Sequence, residues 1–271
     1  MITCRDLTSL TDFARVVDLE QEIWGPGYTD PVPLPILAIT VKRGAVLIGA
    51  FDRERMIGFV YSVPGLRDGR AMQWSHMAGV VEGYRDAGIG HRLKLMQRER
   101  TLAMGLDLIE WTFDPMQAVN AHFNFAKLGV VVEEYEENAY GESQSPLHRG
   151  TPTDRFVAEW HIGGTRVADR IAGHAPVEIA GGVPRANRIV PAGGWTECGD
   201  IDLTVDANRL AVEIPMGFTE MLAGAPDLAL AWRMDTRRIF ATYLARGFRA
   251  VEFFLDRPGG KGTYLLARGT A

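Results

Sequence analysis

A glycine-bearing turn between a predicted strand and a predicted helix is the segment of this sequence best suited to chemistry. It spans residues 85–90 and reads RDAGIG. The first N–H groups of a helix have no partner within the helix and lie at its positive end, so they can hold a phosphate without a basic side chain. Gly88 and Gly90 let a ligand approach the backbone closely. The turn therefore predicts a phosphate or pyrophosphate site, with packing as the alternative use of its glycines.

The residues around the turn narrow the kind of phosphate site. A dinucleotide-binding fingerprint needs a third glycine within a βαβ unit, and residues 91–93 contain none. A P-loop needs Lys and then Ser or Thr directly after its second glycine, whereas His91 follows Gly90 here. Both of these nucleotide-binding classes are therefore disfavoured.

The elements that must position the turn follow from the hydrophobic pattern. The predicted order over residues 1–165 is β-α-α-β-β-β-α-β-α-β-β. The strand before the turn covers 71–81, and the helix after it covers 89–104. The other predicted strands are 1–7, 45–51, 56–63, 106–113, 130–135 and 155–162, and the other predicted helices are 12–24, which Pro26 and Gly27 end, 34–43 and 120–128.

The composition changes after Gly163. Residues 173–199 are rich in Gly, Pro and Ala, which predicts loops with short strands. The later predicted elements are a strand at 208–214, a helix at 227–246 and strands at 250–255 and 262–267. We therefore predict two domains, residues 1–165 and residues 166–271, in the α+β class with a mixed sheet.

Composition and charge exclude several classes of protein. The chain has 271 residues, of which 46% are hydrophobic and 23% charged, so a disordered chain is excluded. Its formal net charge of −5 gives no general attraction to nucleic acid. No apolar run is long enough to cross a membrane. Cys4 and Cys198 are the only cysteines and no signal peptide is visible, so a cytoplasmic protein without a metal is expected.

Three features resemble the GNAT superfamily of acyl-CoA-dependent N-acyltransferases. They are the strand MAGVVEGYR at 77–85, the Arg-x-x-Gly-x-Gly turn at 85–90, and NAHFNFAKLGV at 120–130. The order of predicted elements is also the GNAT order, and the resemblance covers residues 1–162. The resemblance implies a GNAT-like domain with splayed central strands, followed by a smaller mixed α/β domain that resembles a partial GNAT unit.

Further segments resemble a bacterial GNAT subgroup with a C-terminal extension. These segments are WTFDP at 111–115, TDRFVAEW at 153–160, VEIP at 212–215 and AWRMDTRRIF at 231–240. Some relatives in that subgroup are associated with N-succinylation of amino acids. The resemblance therefore implies acetyl-CoA or another acyl-CoA as co-substrate and a small-molecule amine as acceptor.

The GNAT pattern also implies which residues hold the co-substrate. Backbone groups of the strand would pair with the pantetheine arm and those of the turn would hold the pyrophosphate. The residues so assigned are Gly79, Val80, Val81, Arg85, Asp86, Ala87, Gly88, Ile89, Gly90 and Asn120. Strand burial of the valines is compatible with this role, and capping of a helix is the alternative for Asn120.

Attack of an amine on a thioester needs a group that accepts a proton. Glu82 and Glu110 are the predicted catalytic carboxylates, and His76 and His122 are alternatives. Each also has a structural interpretation, such as a solvated turn for Glu82 and a satisfied core residue for His76. Asp114 is a further carboxylate that could instead cap its turn.

The departing thiolate and the substrate carboxylate raise two more questions. Many GNAT enzymes have a proton-donating tyrosine where this sequence has Phe125, so Tyr135, Tyr140 or solvent would have to donate. Arg155 is predicted to bind a carboxylate of the substrate, and a structural ion pair with Asp154 or another carboxylate is the equal alternative.

Two further predictions concern the second domain and the function as a whole. Arg233, Arg237 and Arg238 are interpreted as a solvated helix face. The second domain is expected to wall the acceptor pocket, supply a homodimer surface or complete the sheet. The expected function is transfer of an acetyl or succinyl group to the amine of a small molecule such as an amino acid. The alternatives are a non-catalytic acyl-CoA-binding module and a protein-lysine acetyltransferase.

Overall fold

A computed structural model describes residues 1–25, 28, 30–141, 150–176, 179 and 181–269. The chain forms two units, each with its own contacts. The first comprises Met1–Trp111 and His161–Gly163, and the second comprises Thr112–Trp160 and Gly164–Ala271. This division differs from the predicted boundary at residue 165. The reason is that Val132 pairs with Ala250, so a segment predicted for the first domain adds its strand to those of the C-terminal region.

The first unit is built on antiparallel strands in the order β1-β2-β3-β4, with β5 parallel to β4. The strands are β1 (Ile2–Asp6), β2 (Val46–Asp52), β3 (Arg55–Arg67), β4 (Arg70–Val80) and β5 (Leu108–Phe113). The helices are α1 (Leu10–Trp24), α2 (Leu34–Val41) and α3 (Ile89–Ala103). The predicted order of these elements and the mixed sheet are confirmed.

Side-chain alternation along the strands gives this unit two apolar faces. On one face Phe13 and Val16 of α1 pack with Phe59 of β3. On the other face Leu93 of α3 packs with Ile48 of β2. Ser9 caps α1 by accepting a hydrogen bond from the Asp12 N–H. Pro26 and Gly27, predicted to end this helix, lie outside the described residues.

A β-bulge interrupts the pairing of β3 with β4. Tyr61 lies opposite Met77 and Ser62 lies opposite Ser75, so His76 is an extra residue on β4. The bulge reverses the side-chain alternation at this point. Met77 packs on the α1 face, whereas Ser75 contacts Lys94 of α3.

The second unit carries antiparallel strands in the order β7-β6-β11-β12-β10 and a separate β8-β9 hairpin. Its strands are β6 (Val131–Glu136), β7 (Arg155–His161), β8 (Arg188–Ala192), β9 (Trp195–Gly199), β10 (Arg209–Pro215), β11 (Phe248–Asp256) and β12 (Lys261–Arg268). Its helices are α4 (Ala118–His122), α5 (Thr165–Ile171), α6 (Phe218–Gly224) and α7 (Pro226–Ala245). The sequence missed the short helices α5 and α6.

A π-helical turn, Phe123–Leu128, prolongs α4. It ends at Gly129, whose φ of +79° favours glycine. Buried aromatic rings, including Phe125, Phe156 and Tyr264, form the core nearby, with the Phe156 and Tyr264 centroids 5.4 Å apart. Within the described residues, no helix has both the length and the apolar composition needed to cross a membrane.

Candidate functional site

Strands β4 and β5 are paired over only two positions. Gln73 lies opposite Ile109 and Trp74 lies opposite Glu110. Beyond Trp74, β4 continues to Val80 with β3 as its partner on the other side. The outer edge of β4 after Trp74 therefore presents main-chain groups that a further extended segment could pair with.

The register of β3 and β4 decides which groups face this outer edge. The Val81 N–H donates to the Ile57 carbonyl of β3 at 2.9 Å. Because paired and outward-facing residues alternate in an antiparallel ladder, Gly79 also faces β3, while Ala78 and Val80 face outward. The prediction that the main chain of Gly79 and Val81 pairs with the pantetheine arm is therefore wrong, and Ala78 was missed. Ala78 can be recognised as an outward-facing residue only from the register of β3 and β4, which the bulge shifts.

Gly79 has a packing role instead. A Cβ at this position would lie 2.9 Å from Cδ1 of Ile23 and 3.3 Å from the Trp24 ring. The glycine therefore allows the C-terminal end of α1 to lie close against β4. Its residue type is explained by this contact rather than by a ligand.

The predicted turn follows β4 through a short 3₁₀ turn, Glu82–Tyr84. Asp86 and Gly88 have positive φ angles of 62° and 74°. Within the described chain, the N–H groups of residues 86–90 have no protein acceptor. Successive free N–H groups in such a turn, followed by the N-terminus of α3, form a concave anion-binding nest.

The space in front of the nest is open. A Cβ placed on Gly88 or Gly90 would meet no atom within 4 Å. Tyr84 anchors the turn to the end of β2 by donating to Asp52 at 3.0 Å. Arg85 donates from Nε to the Val80 carbonyl at 3.2 Å, so its side chain braces the turn. This donor set fits a phosphate or diphosphate group, which needs N–H donors and room.

The structure separates the two predicted catalytic carboxylates. Glu82 is exposed in the 3₁₀ turn, beside the nest. Glu110 lies where β4 and β5 diverge, is 2% exposed, and forms an ion pair with Arg67 at 2.6 Å. The six residues from His76 to Glu82 correspond to about 20 Å of extended chain. The two carboxylates therefore cannot serve the same reacting atom.

His76 is the exposed bulge residue of β4, so its interpretation as a satisfied core histidine is wrong. Its ring meets the Tyr61 ring edge-on, with centroids 6.0 Å apart. Burial of the ring by its surroundings lowers the pKa of His76. Burial likewise lowers the pKa of His122, helped by the charges of Lys127 and Arg257, in the second unit.

Lys94 is a site residue that the sequence did not reveal. Its Nζ lies 2.9 Å from Ser75 Oγ, 3.0 Å from Gln97 Oε1 and 3.7 Å from the centre of the Trp111 ring. Burial lowers the pKa of this amine to about 7. The side chain thus joins α3 to both β4 and β5 just past their last pair. A single lysine among the polar positions of α3 gives no sequence signal for this role.

In the second unit, the interpretation of the α7 arginines as a solvated face is wrong for two of them. Arg233 is fully buried and donates to both carboxylate oxygens of Asp114, at 2.7 and 2.8 Å. Burial alone would raise the pKa of Asp114, but Arg233 outweighs it and holds that pKa below its usual value. Arg237 donates to Asp154 at 2.9 Å. Arg238 is exposed as expected.

The ion-pair alternative for Arg155 stays open, because the carboxylates of Asp114 and Asp154 both interact electrostatically with it. The Arg155 guanidinium lies over the Tyr140 ring, 5.3 Å from its centre. Burial lowers the pKa of Arg155.

The remaining predicted residues of the second unit have mixed outcomes. Phe125 is fully buried against Phe113 and Tyr264. Burial and the charge of Asp154 raise the pKa of Tyr135, which makes it a poor proton donor.

Asn120 is exposed inside α4, whose N-cap is Gln117, so the capping interpretation is wrong. No cluster of His, Cys, Asp and Glu side chains suitable for a metal occurs among the described residues.

Comparison with known proteins gives matches only among solved structures. No family model and no curated protein matches the sequence. A GNAT-family acetyltransferase from Streptococcus pneumoniae matches with 17% identity and a TM-score of 0.48, over 59% of this chain and 98% of its own. An N-acetyltransferase from Staphylococcus aureus matches with 14% identity and a TM-score of 0.46, over 60% and 99%.

A third solved structure is the PaiA N-acetyltransferase of Thermoplasma acidophilum in complex with coenzyme A. It matches with 16% identity and a TM-score of 0.43, over 59% of this chain and 99% of its own. At these identities the likeness is one of fold. In the first unit, residues 77–85 form the end of β4 and the 3₁₀ turn that leads into the nest.

Proposed function

We propose that the chain is an acyl-CoA-dependent N-acyltransferase. It transfers an acetyl or succinyl group to the amine of a small molecule such as an amino acid. The observation that carries the proposal is the run of free N–H groups at residues 86–90, directly after a strand whose outer edge is unpaired beyond Trp74. An anion site continuous with an open strand edge suits a ligand that has a diphosphate joined to an amide-bearing arm.

The nest supports binding of the diphosphate of CoA. Its N–H groups supply donors, and the N-terminus of α3 supplies partial positive charge. The outward-facing main chain of Ala78 and the N–H of Val80 support pairing with the amides of the pantetheine arm, as in recognition by addition of a strand. An arm laid along β4 from the nest brings the thioester toward Trp74 and Glu110.

The proposed chemistry is attack of a neutral amine on the thioester carbonyl, which needs a proton acceptor. Glu110 lies where the strands diverge, whereas Glu82 lies beside the proposed diphosphate site. Of these two proposed catalytic residues, position therefore favours Glu110. The Arg67 ion pair occupies one oxygen of Glu110 and reduces its freedom to accept a proton.

In the second unit, Arg155 remains the proposed partner of a substrate carboxylate, and Asn120 a proposed CoA contact. The support for Arg155 is its aromatic platform, Tyr140, and an ion pair with a carboxylate of the protein is the alternative. Because Tyr135 donates to Asp154 at 2.6 Å, solvent is the proposed proton source for the departing thiolate. Tyr140 shares a hydrogen bond of 2.6 Å with Thr112.

A second candidate, a module that binds acyl-CoA without catalysis, is favoured by one observation. Phe125 stands where many GNAT enzymes have a tyrosine, and it is buried without a proton to donate. Release of free thiol from acetyl-CoA or succinyl-CoA with a panel of amino acids separates the two candidates. Release with at least one amine supports the transferase, and CoA binding with no release across the panel supports the module.

The nest itself is tested by filling it. Gly90→Val places a side chain where a Cβ meets nothing, so the variant should fold but obstruct the ligand. Gly163→Val is the matched control, because its Cβ also meets nothing and it lies outside the nest. We expect Gly90→Val to lose at least about tenfold in CoA affinity by calorimetry, equal to about 1.4 kcal/mol. Equal affinity in both variants would contradict the proposed site.

A further inference from the structure

We propose that His76, rather than either carboxylate, accepts the proton of the attacking amine. This inference rests on the proposed acyltransferase function and assigns the catalytic base within it. The geometry of the β4 bulge carries it. A bulge redirects one side chain out of the regular alternation, and bulges occur often beside active sites.

The position of His76 fits this role. The residue follows Ser75 and Trp74, and Trp74 is the last β4 residue paired with β5. Its neighbours Ser75 and Met77 are 6% and 8% exposed, whereas His76 itself is exposed. The bulge therefore presents one polar side chain at the mouth of the divergence between β4 and β5, toward which the proposed thioester extends.

The imidazole is held in place but keeps its nitrogen atoms available. Its ring meets Tyr61 edge-on, and the Tyr61 hydroxyl shares a hydrogen bond of 2.7 Å with Thr40 of α2. Within the described residues, neither imidazole nitrogen has a hydrogen bond to the protein. An aromatic wall on one side and free nitrogen atoms suit a proton acceptor for a ligand.

Other ionisable groups occupy the same face of the sheet. Tyr61 and Arg67 lie on one face of β3 because they are six residues apart with no inserted residue between them. The ionisable groups on this side include Glu20 of α1, Tyr28, Asp30, Tyr61 and Arg67 of β3, and Glu110 of β5. Glu110 is engaged by Arg67, so His76 is the exposed base at the β4 bulge.

The protonation state of the imidazole also supports His76 as the proton acceptor. Partial desolvation of the ring by its surroundings lowers the pKa of His76, which favours the neutral imidazole that can accept a proton. In the proposed step the amine nitrogen forms a bond to the thioester carbon and gives one proton to His76. The carbon–sulfur bond breaks, its electron pair leaves with sulfur, and solvent protonates the thiolate. The imidazolium then returns its proton to solvent.

The experiment compares wild type, His76→Gln and the control His174→Gln, whose side chain is exposed in the second unit. Calorimetry with CoA reports binding, and thiol release from acetyl-CoA or succinyl-CoA with the amino-acid panel reports turnover. We expect His76→Gln to bind CoA like wild type but to turn over at least about 100-fold more slowly. Free imidazole in the buffer should restore part of this rate.

The pH dependence of the rate distinguishes a catalytic role of His76 from a structural one. The wild-type rate should rise as pH increases through the pKa of His76, since the neutral form is the base, and this limb should be absent in His76→Gln. Wild-type turnover in His76→Gln, or loss of its CoA binding, would overturn the role of His76. Wild type that binds CoA yet releases no thiol with any amine would overturn the proposed function itself.

Discussion

Polar groups are used in opposite ways at one buried pair of the second unit and at the nest and bulge of the first. Arg233 and Asp114 in the second unit are buried and satisfy each other with two hydrogen bonds. In the first unit, within the part of the chain that the structure describes, the N–H groups of residues 86–90 lack protein acceptors and His76 lacks a hydrogen bond to the protein. Groups that satisfy each other stabilise the fold, whereas groups left open at the surface are available to a ligand. Substitutions should therefore affect stability in one place and binding in the other.

Arg233→Met should give the largest loss of stability. It leaves the Asp114 carboxylate buried without its partner, which costs about 3–5 kcal/mol. Urea denaturation of Arg233→Met and of the control Arg238→Met measures this. Arg238 is 60% exposed and lies 3.7 Å from Asp235, so its loss should cost about 0–1 kcal/mol. Equal destabilisation by the two variants would show that the buried pair is not a determinant of stability.

Gly129→Ala should also lower the free energy of unfolding. Gly129 has a φ of +79°, and a Cβ there would lie 2.9 Å from Arg170 Cγ and 3.3 Å from the Arg166 carbonyl oxygen. Backbone strain and crowding together should lower the free energy of unfolding by about 2 kcal/mol. Thermal denaturation against Gly105→Ala, which has the same φ and open space, isolates the crowding. An identical loss of stability in both variants would show that backbone strain accounts for the effect and that crowding adds nothing.

Glu20 should make the stability of the first unit depend on pH. The side chain is fully buried, and burial raises its pKa from 4.5 to about 7. The folded state therefore binds the proton more tightly than the unfolded chain. Its stabilising effect is complete below pH 4.5 and is lost as pH rises toward 7, by about 2–3 kcal/mol in all. Glu20→Gln should remove this loss in denaturation curves at pH 4.5 and pH 8. A loss that persists in the variant would assign it to another group.

Gly88→Ala should lower the free energy of unfolding least among these substitutions. It should lower the affinity for CoA more than it lowers stability. Its φ of +74° disfavours alanine by about 1 kcal/mol, but no atom lies within 4 Å of the new Cβ. CoA affinity should fall more than stability, because the nest depends on this backbone conformation. Calorimetry with CoA compares the variant with Gly105→Ala, whose glycine has a similar φ outside the nest. A fall in stability without a fall in affinity would contradict the assigned nest.

The element order and the nest could be predicted because they depend on local signals. Hydrophobic periodicity located β4 and α3, and the glycines marked the turn between them. The register of β4 could not be predicted, because the bulge at His76 depends on pairing with β3. For this reason Gly79 and Val81 were wrongly assigned and Ala78 was missed.

Buried charges escaped prediction for a different reason. Arg233 finds its partner 119 residues earlier in the chain, and no local pattern shows which carboxylate will meet which arginine. Lys94 likewise occupies a polar position in the sequence of α3, although its amine is buried against Trp111. Sequence patterns identify amphipathic faces well, but they do not reveal which charges are enclosed by tertiary packing.

Amide chemical shifts during a CoA titration test the central claim most directly. The nest is proposed to hold the diphosphate through the N–H groups of residues 86–90, with the N–H groups of Ala78 and Val80 facing the arm. The largest perturbations in an ¹H–¹⁵N spectrum should therefore fall on these amides, while that of Val81, bonded to Ile57, should move less. Saturable perturbations located elsewhere, with residues 86–90 unchanged, would contradict the account.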